Sequence, residues 1–367
     1  MRIFYDHQTF SEQNYGGISR YFCELITRIP PSDSQHSAHL SLLFSNNVHL
    51  REYGLPARPF FPTWPVHRVQ PRLYAINRAW SIWEMRKRSF DLYHATYYDP
   101  YFFRYLRRQP VVVTVHDLIH ERLSERFSDL ATDQRMLPWK REIISRASAI
   151  IAISEHTRQD LIDVYQLPPD RIRVIYHGTS LTADPLQPEP SPHPPYLLFV
   201  GNRGHYKNFS AFIRAAAPVL RSHQLRVICA GGGAFKPDEL LLLRELNLRS
   251  LVEQQPIDDL KLRQLYRQAV AFVFPSLYEG FGLPVLEAFA GNCPCLLSNR
   301  SSLPEVAGSA ALYFDPENPD SMREAVEKIV NDPDFRQQLI QRGRQQLQGF
   351  SWEKTVQQTL TLYQDLL

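Results

Sequence analysis

The stretch "AFVFPSLYEGFGLPVLEAFAGNCPCLLS", residues 271–298, contains a strand, a loop, a helix and a second strand in succession. "AFVFP" (271–275) and "CPCLLS" (293–298) are short, almost uninterrupted apolar runs of the length and character of strands buried on both faces. Between them Pro284 suits the first turn of a helix, where its missing N–H costs nothing. A helix is therefore expected from about Leu283 through "PVLEAFAGN". The loop before it sets Gly280 and Gly282 around Phe281, with Glu279 and Glu287 on either side.

The same alternation runs along the rest of the chain. Apolar runs occur at "RIFY" (2–5), "VVVTV" (111–115), "AIIAIS" (149–154), "RVIY" (173–176), "YLLFV" (196–200) and "LRVICA" (225–230). The segments "ISRYFCELITRI", "HTRQDLIDVY", "FSAFIRAAAPVL" and "LKLRQLYRQA" carry the apolar period of amphipathic helices. Strands alternating with helices argue for parallel sheets covered on both faces, and 367 residues suffice for two such α/β domains. Proline recurs through "TADPLQPEPSPHPP" (182–195), which reads as an extended connector. The expected division is residues 1–180, a linker at 181–195, and residues 196–349. The tail "FSWEKTVQQTLTLYQDL" (350–366) reads as an amphipathic helix with Ser351 as its N-cap.

With 44% hydrophobic and 22% charged residues the chain is neither disordered nor membrane-embedded. The N-terminal "MRIFYDHQTF" turns polar after five residues, and no stretch approaches the roughly 20 apolar residues of a membrane span, so a cytoplasmic location is expected. Cys23, Cys229, Cys293 and Cys295 are scattered and read as buried free thiols, and the Cys-Pro-Cys triplet lacks zinc-site spacing. A net charge of +3 without a recognition motif argues against nucleic acid. Residues 51–90 stand apart. They hold eight Arg or Lys against two Glu, with Trp64, Trp80 and Trp83 interleaved. The pattern fits peripheral contact with anionic lipid at the inner face of the membrane, or with an anionic acceptor. It also fits a solvated helix with core-facing tryptophans, and five prolines count against one long amphipathic helix.

Nine of the 15 glycines fall in four groups: Gly16 and Gly17; Gly201 and Gly204; Gly231, Gly232 and Gly233; Gly280 and Gly282. The last three groups each follow an apolar strand. Ligands of open parallel sheets bind at the carboxyl ends of strands, and glycine lets the backbone approach them. Neither the dinucleotide fingerprint nor the phosphate loop ending in Gly-Lys-Ser/Thr is present. Instead "GNRGHYKNF" (201–209) places Arg203 and Lys207 in one glycine turn, a forked donor and a point charge suited to a diphosphate. The N-terminus of the helix at Leu283 favours a phosphate as well, and Glu287, one turn in, suits ribose hydroxyls. Glu279 lies where a sugar would sit.

These residues resemble the Glu-x7-Glu motif of retaining glycosyltransferases of family 4, in "EGFGLPVLE". The resemblance extends to "YGGISRY" (15–21), "VTVHDL" (113–118), "AIIAISEHTRQDL" (149–161), "RIRVIYHGTS" (171–180), "YLLFVGNRGHYKNF" (196–209), "LRVICAGGG" (225–233) and "SSLPEVAGSAALYFDPENP" (301–319). It implies a GT-B fold, two Rossmann-like domains facing across a cleft, with the C-terminal helix (350–367) returning to the first domain.

It also implies roles. Arg203 and Lys207 hold the donor diphosphate, Glu287 the ribose, and Glu279 the donor sugar. The backbone of Phe281, Gly282 and Leu283 meets sugar and phosphate, and the loop of Gly231 and Gly232 borders the donor. His116 lies near the sugar, while Gly16 and Gly17 close over it. Lys207 follows Arg203 by four residues where many relatives have five. The implied activity is metal-independent transfer of a hexose from a nucleotide-sugar to a saccharide or lipid-linked saccharide, with no cofactor. UDP-glucose or a related UDP-hexose is the first expected donor and GDP-mannose the next; residues 251–260 do not choose the base. A nucleotide-sugar 2-epimerase of the same fold and a non-catalytic nucleotide-sugar-binding protein are the alternative readings.

Overall fold

The computed structural model describes residues 1–29, 35–61, 66–127, 130, 136–179, 181–185 and 194–367. The chain forms two compact units, Met1–Gly178 with Trp352–Leu367, and Thr179–Ser351.

The first unit is a six-stranded parallel sheet of β1 (Arg2–Tyr5), β2 (Ser37–Leu40), β3 (Leu92–Ala95), β4 (Val111–Val115), β5 (Ala149–Ala152) and β6 (Ile172–Val174), in the order β2-β1-β3-β4-β5-β6. Side chains alternate across it, so Ile3 and Tyr5 enter one core and Phe4 the other. Helix α1 (Gly17–Arg28) and the last helix, Trp352–Asp365, supply Phe22, Leu25, Trp352 and Tyr363 to the first of these cores. The last helix is fastened by its Tyr363 hydroxyl, 2.9 Å from that of Tyr5 and 2.5 Å from His94 Nδ1. The opposite face is covered by α2 (Val66–Lys87) and α3 (Glu155–Tyr165), through Met85 and Leu161.

Helix α2 corrects the reading of residues 51–90. Four of the five prolines precede it, and Pro71 sits on its exposed side within the first two turns, so 22 residues stay helical. Trp64 of that segment lies outside the described residues.

The second unit is a parallel sheet of β7 (Tyr196–Val200), β8 (Arg226–Ala230), β9 (Val252–Gln255), β10 (Ala271–Phe274), β11 (Cys295–Ser298) and β12 (Ala311–Phe314), ordered β12-β11-β10-β7-β8-β9. Its helices include α4 (Phe209–Ser222), α5 (Pro237–Glu245), α6 (Asp259–Gln268) and α7 (Leu283–Ala290). Leu197, Phe199, Phe212, Val273 and Leu296 form the heart of one core. All four cysteines are free and buried.

The proline-rich connector lies outside the described residues over 186–193. Its first residues are not a free spacer. Asp184 is buried, its carboxylate held by Arg263 and Arg267, and its carbonyl receives Arg344 Nη1 at 2.6 Å and Asn292 Nδ2 at 3.0 Å. Two cations on its carboxylate and a third on its carbonyl outweigh what proline content predicts of the local chain.

Candidate functional site

The strand order of the second unit reverses between β7 and β10, the kind of switch point at which open parallel sheets bind ligands beyond the carboxyl ends of their strands. The loop after β7 contains a single turn at His205–Lys207 and the left-handed Asn208. The loop after β10 runs alongside it, and Leu277 donates its N–H to the Tyr206 carbonyl at 2.8 Å. Across this seam Lys207 Nζ meets Glu279 Oε1 at 2.6 Å, both side chains still partly reachable by solvent. The ion pair that joins the two loops thus stands at the switch point itself.

Glu279 is held by its backbone. Its N–H donates to Ser301 Oγ at 2.8 Å, and its carbonyl accepts from Ser302 Oγ at 2.9 Å. Ser298 Oγ fastens the same loop through the Ser276 carbonyl at 2.7 Å. Ser301 adopts φ +52°, a left-handed conformation that is uncommon outside glycine, asparagine and aspartate. Three hydroxyls from the end of β11 therefore pin the loop that presents the carboxylate.

Helix α7 begins at Leu283, as its proline required, and no side chain caps its N-terminus. Gly282 turns the chain into it at φ +92°, where a Cβ would also press within 2.8 Å of Leu303. The start of α7 therefore carries partial positive charge with no acidic residue in its first turn. Glu287, half-buried one turn in, accepts the Tyr266 hydroxyl at 3.2 Å. Phe281 is buried and packs its ring edge-on against Phe350.

Arg203 is placed differently from Lys207. Its side chain is only 3% exposed and pairs with Glu239, which is 6% exposed, through Nε–Oε1 at 2.8 Å and Nη2–Oε2 at 3.3 Å. Nη2 also donates to the Gly233 and Ala234 carbonyls at 3.0 Å. The two cations read as converging on one anion each hold a carboxylate of their own, and Arg203 knits the turn after β7 to the turn after β8. Gly231, Gly232 and Gly233 of that second turn all take positive φ, and a Cβ on Gly232 would strike the Gly201 carbonyl and approach Arg203 Nη1 to 3.0 Å.

His116, Gly16 and Gly17 belong to the first unit. His116 leaves the end of β4, stacks on His177 at 5.6 Å and 12°, and meets the edge of Tyr21. Burial, with His177, His94 and Lys140 nearby, holds its pKa well below the usual histidine value, so the ring is neutral at physiological pH. Its Nε2 is buried without a hydrogen-bond partner among the described residues. Gly16 caps α1 in an extended conformation, a Cβ there would crowd the Gln13 side chain, and Gly17 is exposed at the first helical position.

Glu239, Tyr266, Ser301 and Ser302 escaped the reading of the sequence. Only the serine pair left a signal, since it follows β11, the strand beside β10. Glu239 and Tyr266 are brought in by packing from helices whose periodicity looks purely structural.

Two Rossmann-like units of this kind define the GT-B class of glycosyltransferases. Over the whole chain the fold is similar to sucrose-phosphate synthase from Thermosynechococcus elongatus (TM-score 0.77, 19% identity, covering 100% of this chain and 98% of that one). It is likewise similar to HepE from Anabaena, solved in complex with UDP and glucose (TM-score 0.76, 18% identity, 100% of both chains). Residues 15–183 match the family described as Glycosyltransferase Family 4, and residues 184–346 the family described as glycosyl transferases group 1. The chain belongs to the family 4 glycosyltransferases. Among its relatives, the O-antigen chain mannosyltransferase B of Escherichia coli is 28% identical over 303 residues, covering 77% of this chain and 76% of that protein.

Proposed function

We propose that the protein transfers a hexosyl group from a nucleotide-sugar to a hydroxyl of a growing saccharide or lipid-linked saccharide, with retention of configuration and without a metal ion. The observation that carries the reading is the meeting of Lys207 and Glu279 at 2.6 Å on the switch point of the second unit, beside the uncapped start of α7. As the bond from the anomeric carbon to the β-phosphate oxygen breaks, negative charge grows on the diphosphate. Lys207 and the amino end of α7 stabilise it, with no reorganisation needed at that moment. Lys207 has by then exchanged its carboxylate partner for phosphate on donor binding, and Glu279 has turned to the sugar hydroxyls. The acceptor hydroxyl enters on the face the diphosphate leaves and gives its proton to the departing phosphate oxygen.

Arg203 acts on this reading through the loop it clamps, holding the turn after β8 against the turn after β7. Glu287 and Tyr266 form the end that receives the ribose. A relative named for mannose transfer moves a mannosyl donor ahead of the UDP-hexose read first from the sequence.

The test is a thermal-shift panel of GDP-mannose, UDP-glucose and UDP-N-acetylglucosamine, followed by product analysis with and without saccharide acceptors. The right donor at a few hundred times its Kd stabilises the fold by about 3 kcal/mol. Transfer with a retained anomer supports the proposal. Epimerised donor without acceptor identifies an epimerase, and binding without turnover identifies a non-catalytic protein; either result replaces it.

A further inference from the structure

Helix α2 has two faces that differ in kind. The inner face is fastened: Val69, Leu73 and Met85 are buried, Asn77 bridges the Phe44 backbone and Ser11, and Glu84 bonds His39 and Arg88. The outer face carries Arg68, Arg72, Ile76, Trp83, Arg86 and Lys87, spaced at the intervals that share one side of a helix. Trp83 is 44% exposed and Ile76 37%. Trp83 stacks on Trp80 at 4.8 Å, with Lys87 Nζ 4.2 Å from the Trp83 ring centre.

Charge on this face has one sign. The acid of the helix, Glu84, points inward, and among the described residues Arg68, Arg72, Arg86 and Lys87 have no carboxylate partner. Arg86 lies over Tyr105 at 5.1 Å, which sets the exposed Arg104, Arg107 and Arg108 beside the end of the helix. A solvated face would mix signs and bury its indoles. This one spends an exposed tryptophan and isoleucine among cations, the combination that a headgroup layer accepts, with indole at the interface and Lys and Arg against lipid phosphates. No helix among the described residues is long and apolar enough to cross a membrane.

We propose that the outer face of α2 docks the protein on an anionic lipid bilayer, lying in the headgroup plane. The proposal is independent of the sugar-transfer reading, and its test uses no nucleotide-sugar.

The experiment is sedimentation of the full chain with sucrose-loaded vesicles of phosphatidylcholine alone or with 30% phosphatidylglycerol, at about 50 and 500 mM NaCl. Binding is expected to the anionic vesicles only, and to fall steeply with salt. The R72E/R86E/K87E variant should bind at least a hundredfold more weakly, each basic residue being worth about fivefold near such a surface. W83A should bind more weakly at both salt concentrations, and brominated lipid tails should quench tryptophan emission in the wild type but much less in W83A. These side chains are exposed, and an unchanged thermal midpoint in the variants confirms that the fold is intact. Equal binding to neutral vesicles, no binding to either, capture of a DNA duplex in place of vesicles, or a dimer that W83A dissolves without vesicle binding would each overturn the proposal.

Discussion

Replacing Arg203 by alanine should unfold the second unit more easily before it says anything about catalysis. Arg203 and Glu239 are 3% and 6% exposed, so removing the guanidinium strands a carboxylate out of water and gives up two hydrogen bonds to the exposed Gly233 and Ala234 carbonyls. Breaking a buried pair by removing one partner costs about 3–5 kcal/mol. For a unit of this size each kcal/mol lowers the thermal midpoint by about 2–4 °C, so a fall on the order of 10 °C is expected. Adding Glu239→Gln to Arg203→Ala removes the stranded charge and should recover roughly half of the loss. Urea denaturation followed by tryptophan emission, with midpoints compared for wild type, both single variants and the double variant, measures the coupling. An Arg203→Ala protein that unfolds within about 0.5 kcal/mol of wild type would refute the clamp.

Lys207→Ala touches a pair that water still reaches, so its stability should change little while sugar transfer falls by a factor of about 10²–10³; undiminished turnover removes Lys207 from the mechanism. Ser301→Gly should relieve the left-handed strain, worth about 1 kcal/mol, and lose one hydrogen bond of similar size, leaving the thermal midpoint near wild type. Turnover should nevertheless drop, because Glu279 loses one of its two hydroxyl anchors, and equal activity in the two proteins would show that the anchor is only structural. The first unit should be acid-labile. Burial lowers His7, His94 and His177 to about 3 and His116 well below its usual value, so as pH falls below about 6.5 the unfolded chain takes up protons that the folded chain refuses. Their stabilisation is complete above that pH and is lost toward pH 3, at up to about 1.4 kcal/mol per pH unit for each ring. Asp6, raised by burial, acts in the opposite direction but is one group against four. Denaturation midpoints that do not move between pH 7.5 and 5.5 would contradict this.

The alternation of apolar runs and amphipathic segments was enough to establish two parallel α/β units, because strand and helix periods are local properties of the chain. Four strands were not legible. "SAHL" and "VEQQ" are edge strands with polar or half-exposed residues, "LYHA" carries His94 in its centre, and "ALYF" is short and edge-placed; each is a strand because neighbours pair with it. In the site, Gly282, Pro284 and the start of α7 were determined by backbone chemistry that the residues carry themselves. The partners of the charges were decided only by folding. Glu239 reaches Arg203 across 36 positions and Glu279 reaches Lys207 across 72, and electrostatic pairing at such separations depends on which strand ends the sheet order makes adjacent. A sequence specifies that cations and carboxylates are present near the ends of strands. Which of them neutralise each other, and which stay available to a ligand, follows from desolvation and distance, and those exist only once the two loops have been brought side by side.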